Sequence, residues 1–350
     1  MASAGEQRRI LLPRQACTYY LKHCYYRVRA HRTNPDEWRK IIMLKKKTVG
    51  SIVAILALAG TLLGGGPANA VDGQTTSAAR AIPGLNCYWQ ARGVTSSGQL
   101  TERHYTTQGG VAKITTEKYN PGRLSFVPRA VLPPGGAGGI EFVNESFYAN
   151  SSDGGFYSVT AIGPKSYNDV KVTATRMAVT WGQTRLMVAS SKATSAGQYI
   201  YGLTDSGALG RYVFNGAGGP KSRVAVGNSG WQGIKTLAFD RTGVVAGTTR
   251  TADVLLATTV DGKLVEYTIP HDKPSQWSRR DLKSATWGNF KYLGSATCGE
   301  WGKPNQPRML LGVLGNGDVY LYLDKRNDDS SGADIVGYGK IASGWTEKLY

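Results

Sequence analysis

The stretch Asp253-Val-Leu-Leu-Ala-Thr-Thr-Val-Asp-Gly-Lys-Leu264 decides the fold, because it contains an apolar strand, a tight turn and the start of a second strand. The Asp-Gly pair supplies the positive φ that a tight β-hairpin requires. The apolar run at 254–257 has no polar alternation, which is typical of a strand buried on both faces. The stretch therefore predicts a hairpin inside a sheet that is covered on both sides.

This hairpin recurs along the chain at a nearly constant period. The turn glycines are Gly98, Gly154, Gly207, Gly262 and Gly317, spaced by 56, 53, 55 and 55 residues. The first apolar residue after each turn keeps one register, at Leu100, Phe156, Leu209, Leu264 and Val319. Repeats of about this length with four short strands are typical of propeller blades. We predict an all-β, five-bladed β-propeller with about four antiparallel strands per blade.

A second short motif lies between the hairpins. It reads Trp231-Gln-Gly-Ile-Lys, Trp287-Gly-Asn-Phe-Lys and Trp345-Thr-Glu-Lys in the later repeats. The pattern assigns Tyr167-Asn-Asp-Val-Lys and, more weakly, Tyr119-Asn-Pro-Gly-Arg to the earlier repeats. Together with the hairpins, this motif completes about four strands per repeat.

The two ends of the repeat region complement each other. The last strand, at 344–350, has no hairpin after it, and the first hairpin, at 87–105, has no Trp strand before it. We predict that the C-terminal strand joins the N-terminal blade and closes the ring, since this removes an open sheet edge. Cys87 and Cys298 then lie in adjacent blades. Two cysteines in an exported chain favour one disulfide, which we predict between them.

The N-terminal segment has the pattern of a secretory signal. Lys45, Lys46 and Lys47 precede an apolar run at 49–63, and an Ala-x-Ala pattern ends at Ala70. We predict cleavage between Ala70 and Val71, with 43–70 as the signal peptide and 71–350 as one propeller domain. Residues 1–42 are interpreted as a non-native upstream or disordered extension. The alternative, a membrane anchor, is disfavoured because the apolar run is short for a span. We expect a secreted or cell-wall-associated protein with no stable membrane span after cleavage.

The charge of the predicted mature part is moderate and scattered. The whole chain carries 42 basic and 24 acidic residues. Residues 1–70 hold 12 and 3 of these, so 71–350 retains 30 and 21, a net charge of +9. Nucleic-acid binding requires a basic stripe, which the sequence lacks. The mature part has no CxxC and no Cys/His cluster, so we expect no metal and no cofactor.

Residues 230–239, 261–267 and 287–293 resemble the tachylectin type of repeat. They are also similar to the FG-GAP-like repeats of secreted actinobacterial proteins, which implies a bacterial source. The resemblance is best over 199–350. The tachylectin family forms five-bladed propellers that bind N-acetylated amino sugars, so the resemblance implies a lectin-like function. FG-GAP repeats usually carry a DxDxDG calcium loop, and this sequence has none.

Tryptophans are the candidate ligand-binding residues, since exposed aromatic rings stack on sugars and anchor protein partners. Trp231, Trp287 and Trp345 hold equivalent repeat positions, which packing between blades would also explain. Three further candidates stand outside that pattern, at Trp181, Trp277 and Trp301.

Catalytic signatures are weak. The mature part has only two histidines, His104 and His271, and no G-x-S-x-G elbow. The carboxylates considered for glycoside cleavage are Asp153, Asp205, Asp261 and Glu266, and the three aspartates adjoin turn glycines, where hairpin formation explains them.

We therefore predict a secreted, monomeric, non-enzymatic binding protein. The first hypothesis is a carbohydrate-binding propeller whose partner is a glycan. The second is a cell-envelope interaction scaffold that is a partner or substrate of secreted proteases or cross-linking enzymes. The third is a propeller hydrolase.

Overall fold

The computed structural model describes residues 84–108, 111–135, 142–195, 197–216, 218–299 and 306–350. All of them belong to the compact unit Val71–Tyr350. The predicted signal peptide at 43–70, its cleavage site at Ala70 and Val71, and the extension at 1–42 lie outside these residues. Within the described ranges, no helix has the length and apolar character that a membrane crossing needs.

The described residues form five antiparallel sheets of four strands each. Blade 1 contains β1 (Tyr88–Val94), β2 (Gln99–Gln108), β3 (Val111–Arg123) and the C-terminal β20 (Lys348–Leu349). Blade 2 contains β4 (Ala130–Gly135), β5 (Phe142–Asn150), β6 (Gly155–Pro164) and β7 (Lys171–Thr180). Blade 3 contains β8 (Thr184–Thr194), β9 (Gly197–Thr204), β10 (Leu209–Phe214) and β11 (Lys221–Gly227).

Blade 4 contains β12 (Ile234–Val244), β13 (Thr251–Thr259), β14 (Leu264–Pro270) and β15 (Ser278–Lys283). Blade 5 contains β16 (Phe290–Thr297), β17 (Arg308–Leu314), β18 (Val319–Asp324) and β19 (Ile335–Ala342). Two short 3₁₀ turns also occur, at Pro274–Gln276 and Trp287–Asn289. The predicted five-bladed β-propeller is confirmed.

The predicted ring closure is also confirmed. The C-terminal β20 pairs antiparallel with β1 through Gly93↔Leu349 and Val94↔Lys348. The predicted disulfide joins Cys87 at the start of β1 to Cys298 at the end of β16, with their Cα atoms 4.3 Å apart. Blade 1 is therefore held to the rest of the ring by a strand at one end and a covalent bond at the other.

Each blade is linked to the next by one recurring backbone bond. The carbonyl oxygen of a turn glycine accepts a hydrogen bond from the residue that opens the following blade. The five pairs are Leu124 to Gly98, Trp181 to Gly154, Trp231 to Gly207, Trp287 to Gly262 and Trp345 to Gly317. Because each turn glycine has φ between +78° and +93°, L side chains are disfavoured there.

These bonds correct the assignment of the early repeats. Tyr119 lies inside β3 and Tyr167 lies in the connection between β6 and β7, so neither opens a blade. Leu124 and Trp181 occupy the position instead, and Trp181 therefore belongs to the repeat. The prediction was wrong here because it assigned the motif to Tyr119 and Tyr167, whereas the position belongs to a large apolar residue whose backbone N–H donates to the turn glycine.

Candidate functional site

The innermost strands of the blades surround a central cavity of about 450 Å³, and residues from all five of these strands line it. Four of the strands, β4, β8, β12 and β16, have 6, 11, 11 and 8 residues, whereas β20 has 2. The innermost strand of blade 1 therefore covers less of the cavity wall than those of the other blades. Residues of the second strand, β1, line the cavity in its place.

The inner edge of β1 is covered only near its end. Among the described strands, β20 is its inner neighbour and reaches Gly93 and Val94. The backbone N–H of Tyr350 adds one bond to the Arg92 carbonyl oxygen at 3.0 Å. Since alternate residues of a strand present their backbone groups to the same edge, Gln90 also faces the cavity. Gln90, Arg92 and Glu102 are among the residues that line the cavity.

A cluster of polar side chains extends from this edge into the space between blades 1 and 2. We name it the blade 1–2 cleft, formed by Tyr88, Gln90, Arg92, Glu102, His104, Tyr119 and Glu145. Its β1 members are alternate residues, so they lie on one face of the sheet. Their cross-strand partners lie on the same face, since Gln90 pairs with His104 and Arg92 with Glu102. The neighbouring blade supplies Glu145 from β5.

The outer end of the cleft is an accessible aromatic ring next to planar polar groups. The Tyr88 side chain is 55% exposed. Its hydroxyl donates a 2.5 Å hydrogen bond to Gln90 Oε1 and lies 3.3 Å from His104 Nδ1. Gln90 Nε2 in turn donates to Glu102, and His104 Nε2 lies 3.4 Å from the same carboxylate. These contacts fix the positions of the Gln90 amide, the His104 imidazole and the Glu102 carboxylate relative to one another.

The inner end of the cleft is a buried ion network. Arg92, with a side chain 2% exposed, forms ion pairs with both Glu102 and Glu145. The Tyr119 hydroxyl lies 2.7 Å from Glu145 Oε2 and 3.2 Å from Glu102 Oε2. The Arg92 guanidinium also packs 4.7 Å above the Phe147 ring centroid. The network joins the two blades and holds Glu102 rigidly.

The electrostatics of the cleft keep Glu102 ionised. Burial opposes its charge, but the hydrogen bond from His104 and the charge of Arg92 outweigh burial and lower the pKa of Glu102 to about 2. Burial raises the pKa of the Tyr119 hydroxyl, which therefore stays protonated. The buried, ionised Glu102 therefore orients Gln90 and His104, which are the more exposed polar groups of the cleft.

Four of the tryptophans predicted as ligand contacts are buried between blades: Trp181, Trp231, Trp287 and Trp345. Trp231 lies 4.2 Å from Tyr267, and Trp287 lies 4.5 Å from Tyr322, between ring centroids. Trp345 stacks on Trp89 at 5.8 Å. The faces of these rings are in contact with other side chains of the protein, so they contribute to packing between blades.

The remaining two predicted tryptophans differ from the other four. Trp277 is half-buried and packs edge-on against Trp231, with 5.0 Å between ring centroids and 63° between ring planes. Trp301 lies outside the described residues, and its ligand-binding role stays a prediction.

A second groove involves a predicted tryptophan. Trp181 and Tyr212, 4.6 Å apart between ring centroids, line a space of about 450 Å³ between blades 2 and 3. Gln183, Thr184 and Thr204 supply polar groups there. Because Trp181 is only 9% exposed, little of its ring is accessible in this groove. In the blade 1–2 cleft, by comparison, Tyr88 is 55% exposed.

The carboxylates considered for catalysis do not converge. Asp153, Asp205 and Asp261 are exposed in separate hairpin turns, in blades 2, 3 and 4. Glu266 is buried between blades 4 and 5, where Arg241 and Arg308 lie within 3.6 Å of its carboxylate.

His271 also belongs to a structural contact. Its Nε2 lies 3.0 Å from Asp253 Oδ1, and Ser190 Oγ donates to that same oxygen at 2.8 Å. The serine proton is directed to the aspartate and not to the histidine, so this group is not arranged as a nucleophilic triad. Among the described residues, no group of three or more His, Cys, Asp or Glu side chains is placed to hold a metal ion.

Sequence reasoning missed the members of the blade 1–2 cleft other than His104. One signal was available: residues 88, 90 and 92 are polar or amphipathic where the equivalent strands of blades 4 and 5 are apolar. The participation of Glu145 required knowledge of how blade 2 packs.

Comparisons with known proteins are distant. No protein-family model and no curated protein matches the sequence. Among solved structures, AofleA from Arthrobotrys oligospora is 13% identical, with a TM-score of 0.42 over 78% of this chain and 76% of that chain. Aleuria aurantia lectin, described as a six-bladed β-propeller with a fucose recognition mode, is 12% identical, with a TM-score of 0.38 over 74% and 79%. The BP39L lectin from Burkholderia pseudomallei is 12% identical, with a TM-score of 0.38 over 76% and 85%. Likeness at this level assigns no ligand and no residue role.

Proposed function

We propose that the protein is a lectin-like, carbohydrate-binding β-propeller whose site is the blade 1–2 cleft. The observation that carries this proposal is the exposed Tyr88 ring beside Gln90 and His104, with the ionised Glu102 behind them. A tyrosine ring provides an apolar face for the C–H side of a sugar. The Gln90 amide and the His104 imidazole provide fixed polar partners for its hydroxyl groups, and the buried Glu102 carboxylate holds both of them in place.

The same geometry favours binding over hydrolysis. A glycosidase requires one carboxylic acid that is protonated at working pH, and therefore a raised pKa. In the blade 1–2 cleft the pKa of Glu102 is lowered, so this residue accepts hydrogen bonds and donates no proton to a leaving group. The proposed function is accordingly non-enzymatic.

We further propose that the protein acts outside the cell, at the cell wall or in the medium, with a glycan partner and as a monomer. The Cys87–Cys298 disulfide supports an oxidising compartment, since structural disulfides persist mainly in exported proteins. The predicted signal peptide and the tachylectin or FG-GAP relationship remain predictions.

A glycan array tests the proposal directly. Full-length protein secreted into the medium is applied to the array, and positive sugars are then titrated by calorimetry. Tyr88→Ala is expected to weaken binding at least tenfold, because the stacking face is lost, whereas Tyr88→Phe keeps the face and should cost less. Ile162→Ala is the matched control, because Ile162 is also 55% exposed but lies on blade 2 outside the cleft. Absence of glycan binding, or equal loss in the control, contradicts the proposal.

A second candidate function, an envelope interaction scaffold, is favoured by the inner edge of β1 at Gln90. A strand edge that faces a cavity provides backbone groups to which an extended peptide can add. A clean protein partner recovered from culture medium, together with a silent glycan array, would support the scaffold over the lectin.

A further inference from the structure

The inner strand of every blade has a cation within one residue of its start: Arg129, Arg185, Lys235, Lys291 and Lys348. We name these five residues the cation ring. Each follows the residue that opens its blade by three to five positions, so the ring is a repeat feature. The five residues lie at the same end of their inner strands, because these strands start at equivalent points of the repeat.

Each ring cation donates hydrogen bonds to backbone carbonyl oxygens of the next blade. Lys291 Nζ donates to the Trp345 oxygen at 2.7 Å, and Lys348 Nζ donates to the Arg129 oxygen at 2.7 Å. Arg185 Nη2 donates to the Ile234 oxygen at 2.7 Å. Lys235 donates to the Gly288 oxygen and Arg129 to the Gly182 oxygen in the same way. Each blade thus donates to the next one, and the five links together form a closed ring around the propeller.

These bonds position the cations without neutralising them, because a carbonyl oxygen is a dipole and carries no net charge. Arg129 is the ring member with an acidic partner, the exposed Asp205 at 2.6 Å. The described ion pairs include none for Arg185, Lys291 or Lys348. The charges of Asp205 and Glu347 act on Arg185 and Lys291 from beyond ion-pair distance. A lysine ammonium has three donors, and the two carbonyl bonds described for Lys291 leave one of them available.

Four of the five ring members line the central cavity: Arg129, Arg185, Lys291 and Lys348. Among the described residues that line the cavity, Glu102 is the acidic one, and Arg92 already pairs with it. Arg185 and Lys291 are half-buried, and this partial burial lowers their pKa values because it disfavours the charged form. Partly buried like charges around one space attract an anion strongly.

We propose that the central cavity is a binding site for a small multivalent oxyanion, held by Arg185, Lys291 and Lys348. A volume of about 450 Å³ accommodates inorganic sulfate or phosphate, and also an acidic or phosphorylated monosaccharide. The shared chemistry is an oxyanion facing fixed N–H donors, which is the stronger kind of hydrogen bond. The cavity shares the wall residues Gln90, Arg92 and Glu102 with the blade 1–2 cleft. The three proposed anion-binding cations are not members of that cleft, so the two proposals can fail independently.

The test uses full-length secreted protein and calorimetric titration at constant ionic strength. The probes are sulfate, phosphate, glucuronate and glucose 6-phosphate, each below 20 mM, with chloride as the monovalent reference. The low concentration avoids the general stabilisation that kosmotropic anions produce. Saturable binding of the divalent probes is expected, with chloride showing none. Tighter binding of a sugar probe than of phosphate would identify an acidic sugar as the ligand, and equal binding would identify the free oxyanion.

The variants are Lys291→Gln combined with Lys348→Gln, because glutamine keeps a donor for the carbonyl oxygens and removes the charge. The double variant is expected to weaken oxyanion binding at least tenfold. Lys235→Gln is the matched control: Lys235 belongs to the cation ring but does not line the cavity, and its effect should stay within twofold. Tyr88→Ala should leave oxyanion binding unchanged, which separates this site from the proposed sugar cleft. Absence of saturable binding, or equal effects of the double variant and the control, overturns the proposal.

Discussion

Lys348 Nζ donates a hydrogen bond to the backbone carbonyl oxygen of Arg129 at 2.7 Å, across 219 positions of the chain. This contact joins the C-terminal strand, in blade 1, to the start of the inner strand of blade 2. It is the closing step of the cation ring, because the other four steps join blades that are consecutive in the chain. The side chain complements the two-residue ladder that β20 makes with β1.

Replacing Lys348 by methionine should loosen the closure of the ring. Methionine keeps an apolar stem of similar length but loses the bonds to the Pro128 and Arg129 carbonyl oxygens. We expect a loss of about 1 kcal/mol in the free energy of unfolding, the size of a partly exposed hydrogen bond. Urea denaturation followed by tryptophan fluorescence measures it. Lys273→Met, at an exposed lysine outside the ring, is the control, and an equal loss there would show that the closure contact contributes nothing.

The sequence predicts this closure because the two ends of the repeat region are incomplete in complementary ways. The turn glycines were identified correctly for the same kind of reason, since a tight turn demands positive φ at Gly262 and its equivalents. Backbone requirements of this type are local, and a single sequence displays them. The disulfide between Cys87 and Cys298 follows from the closure, because only a closed ring brings blades 1 and 5 together.

The blade 1–2 cleft depends on information that is not local. The polar alternation at Gln90 and Arg92 is visible in the sequence, but its meaning depends on how far β20 extends. The ion network also requires Glu145, which is 53 positions from Arg92. The sequence predicts the tryptophans as ligand contacts because it shows the type of each residue but not its burial. Their burial results from packing between blades, as for Trp345 on Trp89.

Removing the disulfide should destabilise the propeller strongly. The bond closes a loop with a sequence separation of 211 residues, and the chain-entropy relation gives about 5 kcal/mol for a loop of that length. We expect the double variant Cys87→Ser/Cys298→Ser to unfold at markedly lower urea concentration than the parent. The parent treated with a reductant is the matched comparison. Equal midpoints for the oxidised parent and the double variant would contradict a stabilising role.

The Glu102 carboxylate should make stability fall in acid. Its pKa is about 2 in the folded protein and 4.5 when unperturbed, so the unfolded chain binds the proton more readily. The stabilisation is therefore fully present above pH 4.5 and is lost as the pH falls towards 2. A shift of this size corresponds to about 3 kcal/mol. We expect Glu102→Gln to remove much of the loss seen between pH 5 and pH 2.5 in urea titrations. Asp169→Asn, at an exposed turn outside this network, is the control and should leave the slope nearly unchanged.

Asp324 should have the opposite pH dependence. It is buried between blades 4 and 5, in a network where Asp240, Glu266 and Asp324 share Arg308 and Arg241. Three carboxylates around Arg308 raise the pKa of that arginine, which stays charged. With three acids for two arginines, one negative charge is in excess. Burial, reinforced by the charge of Asp334, raises the pKa of Asp324 to about 6 even though Arg308 opposes the change.

The folded protein therefore binds a proton at Asp324 more readily than the unfolded chain between about pH 4 and pH 6. Stability from this group is greatest below pH 4 and declines as the pH rises through 6. Asp324→Asn keeps an acceptor for Arg308 and removes the excess charge, so its unfolding free energy should fall less than that of the parent between pH 4.5 and pH 7. Urea titrations at closely spaced pH values measure the two slopes. Parallel slopes for parent and variant would show that Asp324 is ionised throughout and that the excess proton resides elsewhere in the network.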